Sequence, residues 1–164
     1  MAVTMKKKTI GICNGMVLPM AGGTFTRIPN GRVFIKNGKI LAVGEGNFLP
    51  PELAGEEMLW LDAHGGIVMP GIIEAHCHMG ITEEKKAAEG DDCNENVNPI
   101  TPFLRAIDAI NPMDAAFDDA VRAGITCAMI GPGSSNVVGG QFAVIKTKGR
   151  CIDDLIVKAP AAMK

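Results

Sequence analysis

The chain has 164 residues, enough for one ordinary domain or two small ones. Hydrophobic residues make up 47% of it and charged residues 21%, which excludes an intrinsically disordered chain. Sixteen basic against eighteen acidic residues give a formal net charge of −2, without the basic excess that nucleic-acid binding requires. No apolar run reaches the ~18 residues of a membrane span. We therefore expect neither nucleic acid nor a membrane as a partner.

The cysteines indicate a reducing compartment. Their number is odd and no two form a CxxC pair, so neither a disulfide framework nor a zinc knuckle is expected. Three lysines at positions 6–8 precede an apolar stretch, as in a signal peptide, but Gly11, Asn14 and Gly15 interrupt it. We expect a cytoplasmic protein. The five cysteines are Cys13, Cys77, Cys93, Cys127 and Cys151.

Residues 1–70 are predicted to form short strands. Residues 32–36 and 39–43 flank Asn37-Gly38, a dipeptide that tolerates positive φ at both central positions of a type I′ turn and so predicts a β-hairpin. Further strands are expected at 9–13, 16–19 and 58–62, with a loop at 48–51. This pattern is typical of a small β-sandwich or a partial barrel.

Residues 71–164 have a different pattern. The apolar run at 72–75 follows Pro70-Gly71 and predicts a buried parallel strand. A long polar loop at 79–100 comes next, and such loops are often functional. Thr101-Pro102 and Asn111-Pro112 each place a capping side chain before a proline, which predicts two helix starts.

The second of these helices has the stronger periodicity, because apolar residues recur at helical spacing from Met113 to Val121 and Gly124 can end it. It leads into an apolar run at 125–130, which completes a βαβ unit with a right-handed crossover. Two more strands are predicted at 142–147 and 154–158. The second half of the chain is therefore expected to be α/β.

Two histidines are the strongest candidates for chemistry. Side chains at i and i+2 of a strand point the same way, so His76 and His78 can present two imidazoles to one point beyond the strand's end, with Cys77 packed on the other side. Imidazole nitrogens suit Zn, Fe, Ni or Mn. Taken alone, His76-Cys77-His78 is equally compatible with two polar residues that merely end a strand.

The surrounding sequence is more specific. Residues 70–78 read PGIIEAHCH, which resembles the amidohydrolase superfamily signature PG[FIL]IDxHxH at the first strand of a metal-dependent (β/α)8 barrel. Glu74 stands where aspartate is commoner, and this exchange keeps the carboxylate. The hairpin at 33–44 and the run Ala123-Gly124-Ile125-Thr126 resemble segments of the same superfamily, and imidazolonepropionase-like amidohydrolases are the most similar group.

This resemblance implies a division of the chain. Residues 1–70 would be the β-sandwich portion of a composite domain, and 71–164 the first part of a metal-dependent hydrolase barrel. At about 30 residues per βα unit, about three of eight units fit after Ile72. The chain is thus expected to be the N-terminal portion of a longer enzyme and inactive by itself. Because a barrel stopped there exposes a strand edge, a homo-oligomer is also expected.

The resemblance also implies a reaction. His76 and His78 would bind a divalent metal, zinc first, with iron, manganese or nickel as alternatives. The metal would activate water to hydrolyse a C–N bond in an amide or cyclic amide of a small molecule, with a general base outside this chain. Substrate binding is expected from the loop after the second barrel strand. The sequence of this loop is equally compatible with a structural Gly-Pro turn. The residues expected to bind substrate there are Ser134, Ser135 and Asn136.

Three alternatives bear on this interpretation. The cupin metal motif matches in part, through the histidine pair, Glu83 and Gly90, but a cupin needs a later histidine and none follows His78. His64 is interpreted as a loop residue rather than a ligand. The sequence is also compatible with a non-catalytic fragment that acts as an assembly or binding module, and this alternative stays open at the level of sequence.

Overall fold

A computed structural model describes residues 9–23, 25–84 and 86–164. The three lysines considered for a signal peptide lie outside the described residues. The chain divides into two compact units, Met1–Pro70 and Gly71–Lys164. Across the described ranges, every helix is too short or too polar to cross a membrane.

The first unit contains one mixed five-stranded sheet. Its strand order is β3-β2-β1-β4, with β5 beside β1; β1–β2 and β2–β3 are antiparallel, whereas β4 and β5 run parallel to β1. The turn between β2 and β3 has φ of 55° at Asn37 and 76° at Gly38, which confirms the predicted hairpin. The strands are β1 (Thr9–Val17), β2 (Ile28–Lys36), β3 (Lys39–Glu45), β4 (Met58–Asp62) and β5 (Ile67–Val68).

The buried apolar residues of this unit include Val17, Val33, Phe34 and Leu53. The fully buried Phe34 packs edge-on against Phe48 at 6.2 Å and Trp60 at 5.9 Å between ring centroids. Gly44 lies under the Phe48 ring, where a Cβ atom would overlap it. A glycine inside a strand here serves close packing. Since residues 9–70, apart from the one position left undescribed, form a single sheet, a two-sheet sandwich stays a prediction.

The second unit contains a four-stranded sheet of order β6-β7-β8-β9. Strands β6 and β7 are parallel, and α2 lies between them in the chain, as the predicted βαβ unit requires. Strands β8 and β9 instead pair antiparallel, so they do not continue the parallel series of a barrel. The mixed α/β class is confirmed and the barrel stays a prediction. The elements are β6 (Ile72–Cys77), α1 (Ala106–Ala109), α2 (Ala115–Arg122), β7 (Ile125–Ile130), β8 (Gln141–Lys146), α3 (Ile152–Leu155) and β9 (Ile156–Met163).

The helices begin later than predicted. The start at Thr101 is wrong, because Thr101 lies in a turn and α1 begins at Ala106. Helix α2 follows Asp114 rather than Asn111. The Asn111 oxygen does accept from the backbone N–H two residues ahead, at 3.0 Å, and its nitrogen donates to Glu83 at 2.6 Å, but the residues that follow form a turn before the helix. The strand predicted at 154–158 is wrong in its first half, which belongs to α3.

The core of the second unit lies beneath β7 and β8. Helix α2 packs on β7 and α1 on β8, which leaves Ile73 of β6 67% exposed and Ala75 exposed as well. The strand predicted at 72–75 is parallel to β7, as expected, but the prediction that it is buried is wrong. The buried cluster consists of Ile81, Cys93, Ala106, Ile110, Phe117, Ala128, Ile130, Ala143, Ile145 and Leu155.

Candidate metal site

The histidine pair lies at the carboxyl end of β6. The ring centroids of His76 and His78 are 5.6 Å apart and their planes are nearly perpendicular, at 89°. His76 is exposed and His78 is half-buried. The alternation of a strand thus brings the two imidazoles side by side at the edge where parallel strands β6 and β7 both end.

A backbone carbonyl fixes the orientation of His78. Its Nδ1 atom lies 2.6 Å from the carbonyl oxygen of Gly131, the residue that follows β7. A carbonyl can only accept, so Nδ1 carries the hydrogen and donates it, and in the neutral ring Nε2 keeps a free lone pair. Histidines that bind metals commonly make this kind of second bond.

His76 is held by an aromatic ring and a lysine. Its imidazole packs edge-on against Phe142 of β8, with centroids 5.3 Å apart, and its Nε2 lies 3.2 Å from Nζ of Lys164. An ammonium group only donates, so Nε2 of His76 accepts. The backbone N–H of His76 also donates to Glu74 at 2.9 Å. The Nε2 lone pair of this histidine therefore already faces a positively charged group.

Lys164 is a member of this site that sequence reasoning missed. It lies 88 positions from His76 along the chain, and a lone lysine after a strand has no local signal. Its backbone N–H donates to the Gly140 carbonyl at 3.0 Å, and its carbonyl accepts from the Gly139 N–H at 2.7 Å. The antiparallel pairing of β8 and β9 thus carries Lys164 to the histidines.

The two histidines are the right type of ligand for a divalent metal, but they are too few to complete its coordination. His78 offers a free imidazole nitrogen, and His76 offers one only when Lys164 withdraws from its Nε2 atom, whereas a zinc site has four positions. Within the described ranges, no three His, Cys, Asp or Glu side chains converge on one point. Cys77 is half-buried against the core, and burial raises the pKa of its thiol, so it stays a thiol rather than the thiolate that binds metals.

His64 is placed differently. It lies in the turn between β4 and β5 of the first unit, where its side chain is 85% exposed and its backbone N–H donates to the Asp62 carboxylate at 2.7 Å. That hydrogen bond lowers the pKa of the Asp62 carboxyl. His64 thus stabilises a turn through its backbone, which agrees with its interpretation as a loop residue.

The loop after β7 contacts the loop after β6. The Asn136 amide donates to the carbonyls of Glu95 at 2.7 Å and Asn98 at 3.3 Å. The Ser135 backbone N–H donates to Asn94 at 3.2 Å, and Ser134 is exposed. These bonds hold the two loops together, and the role of Ser134, Ser135 and Asn136 in substrate binding stays a prediction.

Comparisons with known proteins place the chain in a family. No protein-family model matches it. It is 34% identical over 116 residues to amidohydrolase tasK of Hapsidospora irregularis, an alignment that covers 71% of this chain and 12% of that protein. It is 35% identical over 63 residues to imidazolonepropionase of Serratia proteamaculans, covering 38% of this chain and 15% of that one.

A solved structure covers more of the chain. An amidohydrolase from Thermotoga maritima superposes with a TM-score of 0.78 and 37% identity, over 94% of this chain and 38% of that one. The chain thus spans a minor part of the length of each relative. The sequence similarity and the shared fold agree with the motif at residues 70–78, and the chain belongs to the amidohydrolase superfamily.

Proposed function

We propose that this chain supplies part of the active site of a metal-dependent hydrolase that cleaves a C–N bond in an amide or cyclic amide of a small molecule. The hydrogen bond from His78 to the Gly131 carbonyl carries the proposal, because it leaves Nε2 of His78 free to bind a metal. Membership of the superfamily supports hydrolysis over a purely structural module, and the relatives' names support C–N bonds as the target.

His76 and His78 would hold the metal, which is zinc or else iron, manganese or nickel. When bound, such a metal lowers the pKa of water and polarises a carbonyl group. The chain's own residues orient the two rings: Gly131 fixes His78, and Phe142 covers one side of His76. The general base and the remaining ligands are assigned to residues outside this chain.

The proposal extends to the architecture. We assign residues 1–70 to the β-sandwich portion of a composite domain and 71–164 to the first part of a (β/α) barrel, supported by the superposition over 94% of the chain. Two imidazoles alone leave a metal under-coordinated, so the 164-residue chain is expected to have no hydrolase activity. Its strand edge favours a homo-oligomer, and five free cysteines favour the cytoplasm.

Metal titration tests the ligand assignment without an activity assay. Zinc binding to the purified protein is measured by calorimetry for the wild type and for His76→Ala, His78→Ala and the control His64→Ala. Each ligand variant should lose at least about tenfold in affinity, and the control should match the wild type. Wild-type zinc affinity in both His76→Ala and His78→Ala would overturn the assignment, as would an effect confined to His64→Ala.

A further inference from the structure

Three Asn-Gly dipeptides occur in the chain, and all of them lie in the first unit: Asn14-Gly15, Asn30-Gly31 and Asn37-Gly38. In this dipeptide the backbone nitrogen of the glycine can approach the side-chain carbonyl carbon of the asparagine, because glycine has no side chain to block the way. The three asparagines share a left-handed backbone, with φ of 56°, 46° and 55° in chain order. Neither the dipeptide nor the φ angle therefore distinguishes them.

The surroundings of Asn37-Gly38 are open. Both residues are exposed at the tip of the hairpin, and a Cβ atom on Gly38 would meet no atom within 4 Å beyond the adjacent residues. Lys36 and Lys39 pair to close the turn, and the Gly38 N–H has no backbone partner in the part of the chain that the structure describes. The peptide between Asn37 and Gly38 can therefore rotate without displacing a neighbour.

The surroundings of Asn14-Gly15 are closed. Gly15 is buried, and a Cβ atom there would lie 2.9 Å from the side chain of Val68. The Asn14 side-chain amide donates to the Asp62 carboxylate at 2.9 Å, and the Asn14 carbonyl accepts from the Gly65 N–H at 2.7 Å. Rotation of this peptide would break these hydrogen bonds and drive the backbone into packed atoms.

Asn30-Gly31 is confined in the same way. Gly31 is buried and pairs with β1 on one side and with β3 on the other. A Cβ atom there would lie 2.9 Å from the carbonyl oxygen of Ile28, and the Asn30 carbonyl accepts from the Gly46 N–H at 3.0 Å. This peptide can rotate only when the sheet itself opens.

We propose that Asn37 deamidates spontaneously in the folded protein and that the fold protects Asn14 and Asn30 from the same reaction. The Gly38 nitrogen gives up its proton to solvent and bonds to Cγ of Asn37. The Cγ–Nδ2 bond breaks, ammonia leaves with that proton, and a cyclic imide remains. Water then adds to one of the two imide carbonyls and opens the ring to aspartate or isoaspartate. One water is consumed, one ammonia is released, and no atom is oxidised or reduced.

The product changes both the charge and the length of the turn. Either product adds a negative charge between Lys36 and Lys39. Isoaspartate also inserts one methylene group into the backbone between these two paired residues, and the two-residue turn then no longer matches the twist of the strands. Isoaspartate should therefore weaken the pairing of β2 with β3. This modification is independent of the proposed function, because it involves neither histidine.

Mass spectrometry of fragmented peptides tests the selectivity, since it measures the conversion of each asparagine while the protein is incubated at pH 8 and 37 °C. In the folded protein, Asn37 should react at least about tenfold faster than Asn14 or Asn30, because the latter two react only after local opening of the sheet. In urea that unfolds the chain, this protection is lost, and the three asparagines should react within about threefold of one another.

Asn37→Gln is the matched control. It keeps the side-chain amide, but the longer side chain would have to close a larger ring, so the main acidic species that ion-exchange chromatography separates from the aged protein should disappear. Aspartate and isoaspartate should both form at position 37, whereas direct hydrolysis of the amide would give aspartate alone. Equal rates at the three positions of the folded protein would overturn the proposal. So would an unreacted Asn37 when the unfolded chain reacts, aspartate as the sole product, or persistence of the acidic species in Asn37→Gln.

Discussion

Nδ1 of His78 and the carbonyl oxygen of Gly131, 2.6 Å apart, join the ends of two parallel strands by one hydrogen bond. This bond selects the tautomer of the histidine before any metal arrives. In the metal-free protein at a pH where the ring is neutral, ¹⁵N NMR should find the proton of His78 on Nδ1. The exposed His64, whose Nδ1 lies 3.7 Å from the Asp62 carboxylate and thus beyond hydrogen-bond distance, serves as the comparison and should not have its proton fixed on Nδ1. A proton on Nε2 of His78 would contradict the proposed ligand atom.

Gly131 should not tolerate a side chain. A Cβ atom at this position would overlap the ring of Phe142, which packs on His76. Gly131→Ala should therefore lower the free energy of unfolding by about 1–3 kcal/mol, measured by urea denaturation. The control is the same substitution in a Phe142→Ala background, where the clash is removed and the added cost should nearly vanish. An equal cost in both backgrounds would contradict this explanation.

Asn136 should act by holding a loop. Asn136→Asp removes the Nδ2 donor that bonds the carbonyls of Glu95 and Asn98 and leaves those acceptors beside a carboxylate. Amide hydrogen exchange of residues 94–98 should become faster. Ser134→Ala, at an exposed position of the same loop, should leave exchange unchanged. Wild-type exchange in Asn136→Asp would show that the loops are held by other contacts.

Acid should weaken the first unit through Glu56. Hydrogen bonds from Lys36, at 2.6 Å, and from Thr9 hold the pKa of the Glu56 carboxyl below its ordinary 4.5. The unfolded chain therefore binds the proton more readily than the folded one. The stability that the ionised Glu56 contributes is fully present above pH 4.5 and is lost as the pH falls through the lower folded pKa.

Urea denaturation between pH 3 and 7 measures this contribution. The free energy of unfolding should fall in acid for the wild type, and the fall should be smaller for Glu56→Gln. Glu52→Gln, on an exposed carboxylate, is the control and should follow the wild-type curve. If the free energy of unfolding of Glu56→Gln falls in acid as much as that of the wild type, other carboxylates cause the acid sensitivity.

Features set by neighbouring residues were predictable from the sequence. The hairpin follows from Asn37-Gly38 alone, since both residues adopt positive φ. The closeness of the rings of His76 and His78 follows from the two-residue repeat of a strand. The start of α2 was predicted at Asn111 and lies three residues later, although the Asn111 oxygen accepts from the N–H two residues ahead as a capping side chain does.

Features set by distant contacts were not predictable. Nothing in residues 142–147 indicates that β8 runs antiparallel to β7, since an apolar strand reads the same in either direction. The place of Lys164 beside His76 depends on that pairing. The Thr101 hydroxyl has no hydrogen-bond partner in the part of the chain that the structure describes, which the sequence does not indicate, because a threonine before a proline is typical of a helix cap.

Strand β6, which carries the histidines, is an edge strand: among the described residues it pairs with β7 and with no other strand. Half of its backbone groups therefore lack a ladder partner, and local opening costs less free energy there than in β7. The Gly131 carbonyl and the Phe142 ring hold in place the two imidazoles that the strand brings side by side. A ligand that binds both rings would therefore stabilise β6 against local opening before it stabilises the rest of the sheet.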